Sequence, residues 1–313
     1  MRGSAFNRAG TGTHTCQIAK FFFTSGSFSG RMIEWMCHHH GRLSVVAVLT
    51  VVASIGLSAQ RALAWGPDGH RIVADIAESR LSVQAKTAIA QLLSDSPDPS
   101  LASIANWADS IRKDREETGP WHYVDIPYEM SGFDPQRDGK DGNNVVNKLE
   151  EFAKVLNDRN APREQRVEAL KFIVHFMGDL HQPMHCVERN GDKGGNFRLV
   201  FFPGKREAVN LHRIWDSDIL KLARGKLEDP EYAAALNTRI SKEQEQSWSR
   251  GTPASWANEG HELAVRVAYS GIPSDGAPPK ITDEYLAAAQ PAVETQLSKA
   301  GVRLANLLNR IFK

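Results

Sequence analysis

Cysteine is scarce in this chain: there are three in 313 residues, and only Cys186 lies beyond residue 64. A disulfide framework is therefore excluded as the source of stability. Charge of one sign is also lacking, since 38 Lys+Arg against 37 Asp+Glu leave a formal net charge of +1. That excludes a protein that coats nucleic acid by bulk basicity. Long apolar runs are missing apart from one at 43–59, which rules out a polytopic membrane protein. There is no internal repeat. What is present is ordinary globular material, 41% hydrophobic and 24% charged, enough for one large domain or two small ones.

The single apolar run, LSVVAVLTVVASIGLSA, follows Arg42 and the His38–His40 tract and precedes Ala62-Leu63-Ala64. A basic flank, an apolar stretch and a small-x-small site are the parts of a secretory signal peptide, with cleavage after Ala64. A single membrane anchor is the alternative, and the run is short for one. Residues 1–31 show no periodicity, and translation starts at Met1, Met32 or Met36. Residues 1–64 then form a removed N-terminal extension and signal, and 65–313 a domain that is secreted or periplasmic and has no membrane span. Its charges are 32 basic and 36 acidic, a formal −4.

Beyond residue 64 apolar residues recur at helical spacing. Ile72, Val73, Ile76 and Ala77 form one face, and Ala88, Ile89, Leu92 and Leu93 another. Further helices are predicted at about 101–114, 144–157, 163–181, 211–223, 254–269 and 282–311. Only Trp121–Pro127 and Phe197–Phe202 read as extended, and loops fall at 96–99, 131–143 and 188–196. The expected fold class is mainly α, a single-domain helical bundle.

Histidine and aspartate carry the chemistry. On a helix His175 and Asp179 are i and i+4, so both leave one face a turn apart. Pro183 ends that helix, and His185 can return toward the same face. His212 and Asp216 repeat the pairing, and two such helices can aim four ligands into one interior. His70, Asp109 and His122 lie in three further short motifs. Imidazole nitrogen with carboxylate oxygen is the donor mix zinc accepts, whereas calcium or magnesium takes oxygen alone. His181 falls off the ligand face and reads as supporting or surface, His261 as structural, and Cys186 as a buried thiol. A lone His-x3-Asp pair is usually an ordinary hydrogen-bonded pair; two pairs plus a histidine after a helix-ending proline point to a metal site.

These residues fall in six motifs: Trp-Gly-x3-His from Trp65, Asn-Trp-Ala-Asp from Asn106, Trp-His-Tyr-Val-Asp from Trp121, His-Phe-x-Gly-Asp-x-His-Gln-Pro-x-His from His175, Gly194-Gly195-Asn196, and Leu-His-x2-Trp-Asp from Leu211. In that order, over nearly the whole of 65–313, the chain resembles the zinc-dependent single-strand nucleases of the S1/P1 type. The resemblance implies a helical fold around three zinc ions per chain. One would be held by Asp109, His122, His175 and Asp179, and a second by His185, His212 and Asp216. The third would take His70, a bridging Asp179, and the amine and carbonyl oxygen of Trp65. It further implies Arg112 and Asp179 as catalytic residues, Tyr123 as the base-stacking ring and Asp125 as the base-bonding carboxylate. Gly194 and Asn196 would wall the base. Lys193 stands where fungal members carry an apolar neighbour of the base. The implied reaction is hydrolysis of single-stranded DNA and RNA to 5′-phosphate products, with 3′-nucleotidase activity and nucleotides as further substrates. No stable protein partner is read from the sequence. A zinc-dependent phospholipase C shares the ligand logic, with a glutamate as its usual last ligand where this chain has Asp216. A helical metal-storage protein would need neither Arg112 nor Tyr123 beside the metals.

Overall fold

Residues 65–313 are described by the structure, a computed structural model. The expected signal peptide, anchor alternative and translation start all lie outside the described residues. Helix α1 (Pro67–Ser79) begins on Pro67, whose missing N–H is no loss at a first helical position. Its buried face carries His70, Ile72, Val73, Ile76 and Ala77, so the ligand candidate sits on the same stripe as the core residues. Helix α2 (Val83–Leu92) follows, capped by Ser82, whose hydroxyl accepts from the Ala85 N–H at 3.1 Å.

The predicted helix at 101–114 is corrected to two short pieces, α3 (Leu101–Ile104) and α4 (Trp107–Ile111). Asn106 leaves the helical conformation between them, its side-chain amide donating to the Pro67 carbonyl at 3.2 Å. Trp121 and His122 are not extended as expected; they close a 3-10 turn over Glu116–His122. Extended chain begins at Tyr123, and its register beside the later turn is set by Val124 N–H to His185 O and Glu188 N–H to Ile126 O, both 2.8 Å.

Helices α5 (Val145–Asn157) and α6 (Arg163–Asp179) pack against each other, and α6 is the spine. Every residue from Phe172 to Asp179 is buried, so its last two turns lie wholly inside the molecule. Pro183 opens a 3-10 turn (Pro183–Cys186) that reverses the chain. One antiparallel hairpin follows, β1 (Leu199–Val200) with β2 (Val209–Asn210), which is all the strand that Phe197–Phe202 provides. Next comes α7, a helical run of three parts: Leu211–Arg213, a π turn over Ile214–Asp218, and Ile219–Arg224.

Two helices escaped the sequence reading, α8 (Asp229–Arg239) and α9 (Lys242–Trp248). The second buries nothing, so it has no apolar period to detect. Helix α10 (Pro253–Leu263) runs into a second π turn (Ala264–Ala268), and α11 (Asp283–Ile311) closes the fold along α1. Gly301 permits that last contact, because a Cβ there would fall inside the Ile76 side chain. The mainly helical architecture expected from the sequence is therefore observed.

Asp75 of α1 has its carboxyl pushed up to about 6, first by burial and then by Glu78 and Asp229, with Arg71 opposing. An acid raised in the folded state is penalised once ionised, so the penalty is absent below about pH 4 and complete above about pH 6. Asp75→Asn should raise stability at pH 8 by about 1 kcal/mol after screening of this half-exposed group, and by nothing at acid pH. Denaturant unfolding at both pH values checks this; identical curves at pH 8 would refute it.

Candidate metal centre

Three segments converge on the C-terminal end of α6. The helix spacing puts His175 Nε2 3.4 Å from Asp179 Oδ2, as i and i+4 require. Helix α1 brings His70, with Nε2 3.4 Å from Asp179 Oδ1 and its ring stacked on His175 at 3.9 Å and 12°. Gly178 makes room for it: a Cβ there would lie 2.6 Å from His70 Nδ1. The 3-10 turn contributes His122, with Nδ1 2.9 Å from Asp179 Oδ2 and 3.2 Å from His175 Nε2. Asp109 on α4 completes this side, its oxygens 3.8 Å from His122 Nδ1 and 3.7 Å from His175 Nε2. Arg112, at the end of α4, has Nη1 3.2 Å from Asp109 Oδ1.

A second cluster adjoins the first. His212 Nε2 and Asp216 Oδ2 are 3.6 Å apart on α7, and the His185 ring lies 4.8 Å from that of His212. His185 Nδ1 is also 3.9 Å from Asp179 Oδ1, which ties the two clusters together. Three groups thus have ligand atoms within 4.8 Å of one another: His70–His175–Asp179, Asp109–His122–His175 and His185–His212–Asp216. All eight side chains picked out as metal ligands fall into them. Trp65 is buried, and the N–H of the following Gly66 donates to the Asp216 carbonyl at 2.9 Å.

Backbone carbonyls aim the rings. His175 Nδ1 donates to Ala105 O, His185 Nδ1 to His122 O and His212 Nδ1 to Gly194 O, each at 2.7 Å. A carbonyl only accepts, so each Nδ1 carries the proton and each Nε2 presents its lone pair inward. The break at Asn106 serves this purpose, since it sets the Ala105 carbonyl against His175. Gly194 serves it too: its φ is +59°, and a Cβ would collide with the Met184 carbonyl.

Electrostatics favour a cation. Burial holds His70, His122 and His185 well below the usual imidazole value, neighbouring imidazoles add to this, and His212 falls to about 4 by burial. Burial likewise pushes the Asp179 and Asp216 carboxyls well above the carboxylate range, with Asp109 adding to both. Arg112 opposes at Asp179, and at Asp216 the Gln182 amide opposes by donating to Oδ1. Both nitrogens of His70, Nε2 of His122, His185 and His212, and Oδ1 of Asp179 are buried with no hydrogen-bond partner. Orphaned lone pairs facing one interior are what metal ions satisfy, so the donor set fits a divalent metal that takes nitrogen and oxygen.

The residues expected at the base lie at the rim. Tyr123 is 37% exposed, and Asp125 is exposed beside it. The Asp125 carboxyl is raised to about 6 by the chain crowding it and by Glu188 and Asp138, with Lys193 pulling the other way. Asn196 donates to the Lys193 carbonyl at 2.8 Å across the loop from Gly194.

The model of the S1/P1 Nuclease family matches residues 65–313. The chain belongs to the S1/P1 nuclease family. Endonuclease 2 of Arabidopsis thaliana is 35% identical to it, over 79% of this chain and 90% of that protein. Nuclease S1 of Aspergillus oryzae is 30% identical over 84% and 97%, and Nuclease P1 of Penicillium citrinum 31% identical over 79% and 97%. This S1/P1 nuclease is accordingly a hydrolytic enzyme, an endonuclease that acts on nucleic acid. No helix among its described residues is long and apolar enough to cross a membrane.

Three other residues are placed away from the clusters. His181 is not on the surface: it is buried, donating from Nδ1 to Met177 O at 2.7 Å while Arg303 donates to its Nε2 at 2.8 Å. His261 contacts the Pro127 carbonyl at 3.1 Å, and Cys186 is a buried thiol raised by burial. Gln182 was missed by sequence reasoning, although its place between the helix end and Pro183 is where a side chain can reach Asp216.

Gly178→Ala should displace His70 while leaving the helix intact. The expected result is a roughly 10–100-fold loss of metal affinity or turnover with an unchanged circular dichroism spectrum. Wild-type metal binding in this variant would show that His70 is not held by that contact.

Proposed function

We propose that this nuclease is a zinc-dependent endonuclease of single-stranded DNA and RNA that leaves 5′-phosphate ends and also removes 3′-phosphates from nucleotides. The observation that carries the reading is a floor of eight clustered His and Asp side chains, all but Asp109 buried, with an exposed aromatic ring and carboxylate, Tyr123 and Asp125, on the segment that leads away from His122. Asp109, His122, His175 and Asp179 would hold one zinc, and His185, His212 and Asp216 a second. His70, Asp179 and the terminal amine and carbonyl of Trp65 would hold a third. When bound, zinc supplies a Lewis acid for phosphoryl oxygen and lowers the pKa of water.

The chain's own groups do the rest. Arg112, kept in place by Asp109, offers a guanidinium to the charge that develops on a phosphate. The exposed Tyr123 ring offers a face to a base, and only an unpaired base has a free face to give, hence the preference for single strands. Asp125, ionised above about pH 6, accepts from a base N–H, while Gly194 and Asn196 wall the other side. Residues 1–64 would direct export to the periplasm or the medium and be removed after Ala64, which frees the Trp65 amine.

The test is turnover. The holoprotein should contain about three zinc ions per chain, counted from these ligand sets. It should cut a single-stranded oligonucleotide to 5′-phosphate ends far faster than a duplex. A chelator should abolish cleavage and zinc restore it. Cleavage indifferent to chelation, or full activity with one zinc, would overturn the reading.

Trp65 tests the third zinc separately. An amide nitrogen has its lone pair delocalised into the carbonyl and is a poor ligand. Protein with an extra residue before Trp65 should fold but turn over roughly 10–100-fold more slowly than protein cleaved after Ala64. Equal activity at equal zinc would remove the amine from the ligand set.

A further inference from the structure

One feature outside the metal centre runs against ordinary strand chemistry. From Phe197, which closes the turn after Asn196, through the strand to Phe202 the side chains alternate outward and inward. Arg198, Val200 and Phe202 turn inward, at 6%, 0% and 5% exposure. Phe197, Leu199 and Phe201 turn outward, at 64%, 44% and 39%. The solvent face of a half-buried hairpin normally carries polar side chains, and here it carries a row of three large apolar ones. The row is rigid. Arg198 anchors it from behind, donating to the Gly276 and Ala277 carbonyls at 3.1 and 3.3 Å. Phe201 is clamped at the far end, its N–H donating to Pro279 O at 2.8 Å and its carbonyl accepting from Ile281 N–H at 2.9 Å.

The row also begins beside the centre. Phe197 directly follows Asn196, and the loop before it supplies the Gly194 carbonyl that orients His212. Lys193 on that loop holds its ammonium 5.0 Å from the Phe197 ring centroid. Its backbone is pinned at φ +53°, with the N–H donating to Glu188 Oε2 at 2.9 Å. Of the five basic residues between 193 and 213, Arg198 is turned inward and Lys205 and Arg213 pair with Asp218, so Lys193 is the exposed cation placed against the row. An apolar row with a cation at its head, continuous in sequence with the loop of a phosphodiester-cleaving centre, matches the two components of a single strand: bases that stack and phosphates that carry charge.

We propose that Phe197, Leu199 and Phe201 form an outer track on which a single-stranded polynucleotide lies as it leaves the metal centre, with bases against the row and phosphate toward Lys193. This rests on the nuclease reading above and extends it from one nucleotide to a polymer. The row spans at most ~13 Å at ~3.3 Å per residue, room for two or three nucleotides at ~3.4 Å each when stacked. Its role is to hold substrate, so its loss should act on KM rather than kcat.

The experiment compares wild-type holoprotein with a variant carrying Phe197→Ser, Leu199→Ser and Phe201→Ser, all on exposed positions. Zinc content and thermal unfolding serve as folding controls. Substrates are a dinucleotide and a single strand of roughly twelve nucleotides. The variant should show KM raised roughly tenfold or more on the long strand, with kcat and dinucleotide cleavage unchanged. Unchanged KM on the long strand would overturn the track, as would equal losses on both substrates. The same holds if the variant instead loses binding to phosphatidylserine vesicles while its KM stays put, which would assign the row to a membrane surface. Wild-type protein that cuts no single strand at all would sink the nuclease reading itself, a result the variant comparison cannot mimic.

Discussion

Asp179 is the point on which the structure turns. Its carboxylate is fully buried, and His70, His122, His175 and His185 approach it from four separate stretches of chain. It also closes α6, at the negative end of the helix dipole. A buried anion at the negative end of a helix is costly unless cations meet it. Neutral imidazoles do not meet that need, and they bring further lone pairs of their own. The donor set is one that a divalent metal would complete.

The regular helices and the irregular segments divide the work. Helices α1, α6 and α7 supply ligands at fixed spacing from buried faces. The carbonyls that aim those ligands come from places where regular structure stops: Ala105 before the break at Asn106, His122 at the end of a 3-10 turn, and Gly194 in a left-handed turn. Inside a continuous helix those carbonyls would be committed to backbone N–H groups four residues on. Each interruption therefore releases an acceptor that fixes one imidazole tautomer.

This division also explains what was legible in the sequence. The His175–Asp179 and His212–Asp216 pairs follow from helical periodicity, and both were readable because periodicity is a local property. Helices α5, α6 and α11 were visible for the same reason, through long apolar faces. The break at Asn106 was not, because it is settled by a tertiary hydrogen bond to Pro67 that no local pattern announces. Helix α9 has no buried face to betray it; only the capping box Ser241-x-x-Gln244 marks its start. The stacking of His70 on His175 depends on Gly178, one small residue whose meaning appears only when two helices are in contact. Gln182 was hidden likewise, since its partner lies 34 residues away.

The floor and the rim of the centre obey different constraints. Every floor residue but Asp109 is buried among the others, so changing one leaves its neighbours as uncompensated charge or orphaned lone pairs. The floor can hardly vary without losing the fold as well as the metals. Tyr123, Asp125 and Lys193 are exposed, and none of them supports a core contact. They are nonetheless held firmly: Tyr123 and Asp125 by the extended segment tied to His185 and Glu188, Lys193 by the pinned loop. A rim that is rigid in backbone yet free in side chain can change which polymer it accepts at little cost in stability. Chemistry is thus fixed by the part of the molecule that folding protects, and selectivity is left to the part that folding does not need.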